Sequence, residues 1–227
     1  MKATDLVSKP KDIIIDSEQL VEWCDSIDPK SESDLIQEIT LALKATMREK
    51  NLTSLTAPQI GYKKRIFCIK FGENNYKTFL NPMIENNSNF QFVIETCSSL
   101  PERQFIRPRF AKIKAFYTTP LGKVESTQLV GKAAQVFQHC IDHLDGLLLN
   151  DIGLEIDQMW FDATDDERAE VLKAYADALD IKQKELTAEV NENQDLKQIN
   201  DAIDFIQSVK SGETQLAIDD ADSVEKD

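Results

Sequence analysis

The chain holds two histidines, His139 and His143, four residues apart in Gln138-His139-Cys140-Ile141-Asp142-His143, a stretch that starts after Gly131 and runs out at Gly146. Residues at i and i+4 share one face of a helix. Val136, Phe137, Ile141 and Leu144 form an apolar stripe along the same stretch, so it reads as a helix bedded on a core. Both imidazoles then project together and could reach one metal ion. The spacing equally suits two hydrogen-bonded core histidines, and the helix alone does not choose between these readings.

The segments before this helix are short and β-rich. Ser31-Glu32-Ser33-Asp34, ahead of Leu35, Ile39, Leu43 and Met47, predicts a capped helix ending near Asn51. Leu52 to Gly61 contains Pro58 and reads as a loop before the strand Arg65 to Phe71. Further strand-like runs at 77–80, 90–95, 111–118 and 124–130 are separated by Asn-Pro, Asn-rich and Pro-Leu-Gly turn signals. Such spacings predict an α+β fold, with short antiparallel sheets packed around the histidine helix.

Charge divides the chain. Residues 151–227 hold 22 acidic and 7 basic side chains, a balance of −15, while residues 1–150 hold 18 acidic and 19 basic ones, a balance of +1. The expected organisation is a nearly neutral domain over 1–156, an acidic helical extension over 157–210 and a disordered tail over 211–227. Thr164-Asp165-Asp166-Glu167 offers a capping box for a helix carrying Val171, Leu172, Tyr175 and Leu179, and Leu196, Ile199, Ile203 and Ile206 mark a second one. No apolar run approaches the roughly 18 residues of a membrane span, and the N-terminus has no signal-like apolar region. The expected compartment is the cytoplasm.

None of the four cysteines forms a C-x-x-C pair. Cys24 and Cys68 sit among apolar neighbours and read as small core residues. Cys97 and Cys140 are different, because each lies in a motif.

Three motifs in order resemble the bacterial-type peptide deformylase family over roughly residues 10–155. Gln138 to Gly146 matches Q-H-E-x-D-H-L-x-G except at Cys140. Glu95-Thr96-Cys97-Ser98-Ser99-Leu100-Pro101 stands for E-G-C-L-S-x-P, departing at Thr96 and Ser98. Leu52 to Gly61 stands for G-x-G-L-A-A-P-Q-x-G, keeping Leu55, Ala57, Pro58, Gln59 and Gly61. The resemblance implies that Cys97, His139 and His143 hold one divalent metal, natively Fe(II), with zinc, nickel or cobalt as replacements. A thiolate and two imidazoles leave one tetrahedral position open, the form of a catalytic site. A closed structural site would need Cys140 as a fourth ligand, and its place beside His139 makes joint ligation awkward.

The implied reaction is hydrolysis of the formyl group from a formylmethionyl nascent peptide. Gln59 and the Ser98 backbone N–H would serve as oxyanion donors. Thr53, Ser54 and Leu55 would pair with the substrate backbone, and Asp142 would steady an imidazole or the helix from behind. Where the family often carries an arginine, this chain has Gln104, with Arg103 adjacent.

Cys140 occupies the place of the glutamate that moves the proton. A cysteine side chain is two bonds shorter, and an unperturbed thiol has a pKa of about 8.5. Loss of a positioned base costs on the order of 10²- to 10⁴-fold. The expectation is therefore an impaired deformylase. The alternative is a non-catalytic relative that binds metal and formylated N-termini. A disulfide between Cys97 and Cys140 is a further alternative. The acidic extension argues against nucleic-acid binding. It leaves a protein partner, an oligomer contact through the C-terminal helices, or a solvated appendage.

Overall fold

Helix α1 (Ser33–Glu49) follows from its stripe of Ile36, Ile39, Leu43 and Met47, all buried. It starts at Ser33 rather than at the expected cap. Ser31 Oγ donates to Asp28 Oδ2 at 2.7 Å, and Glu32 Oε2 accepts from the Asp28 N–H at 2.8 Å, so these polar groups organise the preceding turn instead. The structure is a computed structural model that describes residues 9–15 and 18–189, with the backbone alone for 86–89 and 179–189. The expected helix through Leu196 to Ile206 and the tail from Ser211 lie outside the described residues.

The fold is α+β. Strands β1 (Ser54–Thr56), β2 (Ile66–Lys70), β3 (Tyr76–Cys97), β4 (Leu100–Thr118) and β5 (Val124–Val130) follow one another across a sheet, and β6 (Leu154–Ile156) pairs with β4. The pairings β1–β2, β2–β3, β4–β5 and β4–β6 are antiparallel. Leu55 stands opposite Cys68, and Ile113 opposite Leu129. The segment expected to be loop thus contains β1, because Leu55 and Thr56 bury their side chains while their backbone joins the ladder.

β3 and β4 are longer than the runs expected from sequence. Asn81-Pro82 reads as a turn, yet the strand continues through it. Asn81, at φ +45°, uses its side-chain amide to pair with both backbone groups of Ile27, at 2.9 and 2.8 Å. The residue acts as a clamp on a neighbouring segment rather than as a reversal of the chain.

The chain divides into two compact units. The first comprises Met1–Ser88, Ser98–Pro101 and Ala111–Leu148, and the second Asn89–Cys97, Glu102–Phe110 and Leu149–Asp227. The first has a core of Ile36, Ile39, Leu43, Met47, Leu55, Ile66 and Leu80. Helix α2 (Gly131–Leu144) belongs to it and buries Phe137, Ile141 and Leu144, while Val136 is half-buried. In the second unit Phe92, Ile106, Trp160, Leu172 and Tyr175 form the core. Helices α3 (Leu149–Ile152), α4 (Gln158–Asp162) and α5 (Asp165–Glu189) belong to this unit.

The predicted capping box starts α5. The Thr164 N–H donates to Glu167 Oε2 at 2.7 Å, and the Glu167 N–H donates back to Thr164 Oγ1 at 3.3 Å. Tyr175 fixes the helix by donating its hydroxyl to the Ile152 carbonyl at 2.6 Å, and burial pushes that phenol up to about 12. Among the described residues no helix is long and apolar enough to cross a membrane.

Candidate metal centre

The placement of His139 and His143 begins with how α2 ends. Gly146 takes φ +73°, the Leu147 N–H reaches back to the Asp142 carbonyl at 2.8 Å, and the Gly146 N–H reaches the His143 carbonyl at 3.4 Å. This is a Schellman closure, which a glycine adopts with little strain. The Leu144 carbonyl accepts from the Cys24 N–H at 2.9 Å and from Arg65 Nη1 at 3.3 Å, and Arg65 also pairs with Asp145 at 2.6 Å. The last turn, which carries His143, is therefore pinned from outside the helix.

The two imidazoles face the same way, with ring centroids 5.0 Å apart and planes at 75°. Cys97 ends β3, and its chain neighbour Ser98 lies in the unit that carries the histidines. One ligand atom each from Cys97, His139 and His143 lies within 4.8 Å of the other two. Cys97 and His143 are buried and His139 is half-buried.

The donor chemistry fits a divalent ion. One soft thiolate and two imidazoles suit zinc or iron, and three protein ligands leave a coordination position open. Cys140 is fully buried on α2 and does not belong to this converging group. None of the four cysteines is disulfide-bonded. Cys24 and Cys68 are core residues, as expected, and burial pushes both thiols up to about 11.

Gln59 lies in the turn Pro58–Ile60 and is buried. Its Oε1 accepts from the Thr56 N–H and from Thr56 Oγ1, each at 3.0 Å, while its Nε2 donates to Ser98 Oγ and Ser99 Oγ, each at 3.1 Å. Thr56 and Ser99 are the members of this network that the sequence did not single out. A threonine three residues before Gln59 was the available local signal. The contact with Ser99 spans 40 residues and has no sequence signature.

β1 is the terminal strand of the sheet, so one of its edges lies outside the β1–β2 ladder. Thr53 is exposed, Ser54 half-buried and Leu55 buried, and the Thr53 carbonyl accepts from the Lys70 N–H at 2.8 Å. Asp142 is 8% exposed, so its carboxylate is buried within the fold and not a solvent-facing helix charge.

Arg103 makes a bidentate pair with Glu155 at 2.8 and 2.9 Å, and Gln104 stands opposite Ile156 in the β4–β6 ladder. A second bidentate pair joins Arg109 to Glu95, both contacts at 2.8 Å, with each side chain 3% exposed. Glu95 lies two residues before Cys97 and so shares its face of β3.

Residues 10–156 match the sequence model of a family described as polypeptide deformylase. A peptide deformylase of Natranaerobius thermophilus is 32% identical over 124 residues, spanning 54% of this chain and 80% of its own length. Peptide deformylase 1 of Clostridium perfringens is 34% identical over 137 residues, spanning 60% of this chain and 92% of its own length. The Met-Ala-Ser-bound crystal structure of class I type b peptide deformylase from Acinetobacter baumannii is similar with a TM-score of 0.59 at 27% identity, covering 63% of this chain and 99% of that one.

Proposed function

Because this chain belongs to the polypeptide deformylase family, we propose that it is a metal-dependent hydrolase that removes the formyl group from the N-terminal formylmethionine of nascent peptides, slowed at proton transfer by Cys140. The observation that carries the reading is the convergence of Cys97, His139 and His143 inside the matched region. Fe(II) is the native ion on this reading, with Zn(II) or Ni(II) as replacements. When bound, the ion polarises the carbonyl and lowers the pKa of a water. The reaction adds water across the formyl C–N bond, with hydroxyl going to the carbon and a proton to the nitrogen, and yields formate and a free amine.

The chain's own residues place the substrate. The outer edge of β1 at Thr53 and Ser54 suits an extended peptide that adds as a strand, with Leu55 packed beneath it. The Acinetobacter relative holds Met-Ala-Ser, a tripeptide of the kind such hydrolysis would release, which supports a peptide substrate here. The Ser98 backbone N–H supplies a hydrogen bond where negative charge develops on the formyl oxygen, and Gln59 contributes to the same oxyanion site. Asp142, buried on the ligand helix, steadies an imidazole or the helix itself. The acidic extension favours a protein partner or an oligomer contact over nucleic acid, and the working compartment is the cytoplasm.

Cys140 favours a second reading, in which the chain binds metal and formylated N-termini without turnover. Its thiol is fully buried and short, so it replaces a carboxylate base poorly. Formate release from formyl-Met-Ala-Ser separates the two readings when the Ni(II)-loaded chain is compared with Cys140→Glu. The expected result is slow turnover by the native chain and a gain of about 10²- to 10⁴-fold in the variant. Turnover by the variant alone selects the binding protein. Inactivity of both, with one metal bound per chain, sinks the deformylase reading.

A further inference from the structure

We propose that the Ser98 side-chain hydroxyl, held by Gln59, donates the hydrogen bond that meets the substrate's formyl oxygen, so that Gln59 acts through Ser98 as a positioning residue. The inference rests on the deformylase reading of the site and deepens it.

Thr56 fixes the orientation of the Gln59 amide. Its backbone N–H is a fixed donor and its hydroxyl a second one, and both point at Gln59 Oε1 at 3.0 Å. The amide can therefore be oriented in only one sense, because a flipped amide would set its N–H groups against the Thr56 backbone N–H, which cannot accept. Nε2 must then face Ser98 and Ser99. Each of its two hydrogens meets one serine oxygen, at 3.1 Å in both cases. Both donors of Gln59 are thus engaged inside the protein.

The two serines differ in what they can do next. Ser99 is 0% exposed and closes the network inward. Ser98 is half-buried, lies next to Cys97 in the chain, and still has its own proton to give after accepting from Gln59. A hydroxyl that accepts from an amide directs its proton away from that amide, and the accepted bond polarises the O–H. The Thr56–Gln59–Ser98 chain thereby delivers one oriented donor at the residue that follows Cys97. Its acceptor is an sp2 carbonyl oxygen, as in an N-formyl amide.

Three substitutions, alone and combined, and two readouts test this. The first readout is steady-state hydrolysis of formyl-Met-Ala-Ser by the Ni(II)-loaded native and Cys140→Glu chains, each carrying Ser98→Ala, Ser98→Thr or neither. Ser98→Ala is expected to lower kcat about 10²-fold with a much smaller change in KM, as for a donor used in the transition state. Ser98→Thr, which keeps the hydroxyl, should recover to within a few-fold. The second readout is independent of turnover. Calorimetric binding of a peptide hydroxamate, which presents a carbonyl oxygen and is not hydrolysed, should weaken about tenfold in zinc-loaded Ser98→Ala. Met-Ala-Ser, which has no formyl oxygen, should bind the native and Ser98→Ala proteins equally. Unchanged or improved kcat and hydroxamate binding in Ser98→Ala would mean that Gln59 donates directly, and overturns the proposal. If no chain releases formate while Ser98→Ala still weakens the hydroxamate, the deformylase reading fails and the Ser98 donor stands.

Discussion

Removing Glu95 should do more damage than removing any other single surface or strand carboxylate described here, and the structure sets the size of the effect. Its carboxylate and the Arg109 guanidinium are each 3% exposed and meet in two bonds of 2.8 Å. In Glu95→Ala the guanidinium stays buried and loses this bidentate carboxylate partner, a change that typically costs about 3–5 kcal/mol for a buried pair. Against a total stability of about 5–15 kcal/mol, that is about a fifth of the margin or more. At about 2–4 °C per kcal/mol for a protein of this size, the melting midpoint should fall by about 6–20 °C.

The same physics predicts a rescue. Replacing both partners by apolar side chains, Glu95→Leu with Arg109→Met, removes the buried charge and should return most of the loss, because an ion pair and a packed apolar pair of similar volume are often near equal in stability. Urea unfolding of the metal-loaded protein measures all three variants. Cys97 shares the strand face with Glu95, so metal affinity should fall in the single variant and recover in the double one. A loss below about 1 kcal/mol in Glu95→Ala, or a double variant no more stable than the single, would refute the reasoning.

Two further perturbations follow from the same structure. Gly146→Ala should cost about 2–4 kcal/mol in urea unfolding, since an added Cβ would lie 2.6 Å from the Val21 carbonyl oxygen at a φ of +73°; a loss near zero would show that the Val21 backbone yields. Cys24 and Cys68, raised by burial from 9.0 to about 11, should resist Ellman's reagent at pH 8 until the protein unfolds. The unfolded chain binds fewer protons than the folded one between pH 9 and 11, so stability should fall as pH rises through that window, and Cys68→Ala should flatten the slope; rapid labelling of folded protein would contradict it.

The parts of this molecule that are legible in sequence are those specified by neighbours along the chain. Gly131 and Gly146 bracket α2, and the i, i+4 histidines reveal its ligand face, because helix periodicity brings those residues together without any tertiary information. The Thr164–Glu167 capping box is equally local, and it appears as expected. The strands are harder. Asn81-Pro82 carries a turn signal, but the Asn81 amide spends its hydrogen bonds on Ile27, 54 residues away, and β3 runs on. Arg103 illustrates the same limit, since its pairing with Glu155 depends on β6 lying beside β4.

Gln59 shows where the two kinds of information meet. Its motif marks it as a donor, yet which way the amide points depends on Thr56, three residues away, and what the amide reaches depends on Ser98 and Ser99, about forty residues away. Ser98 therefore reads in sequence as a lost apolar residue with an intact backbone N–H, and in the folded chain as a hydroxyl joined to the buried donor network. Cys140 is the opposite case. Its departure is plain from the motif alone, and burial on α2 outside the converging ligands adds that the thiol has no place as a fourth ligand. On the proposed function the two departures fall on different steps. Ser98 would alter how charge on the formyl oxygen is met and Cys140 how the proton moves, so their effects on kcat should multiply in the Cys140→Glu, Ser98→Ala double variant unless the two side chains share a water.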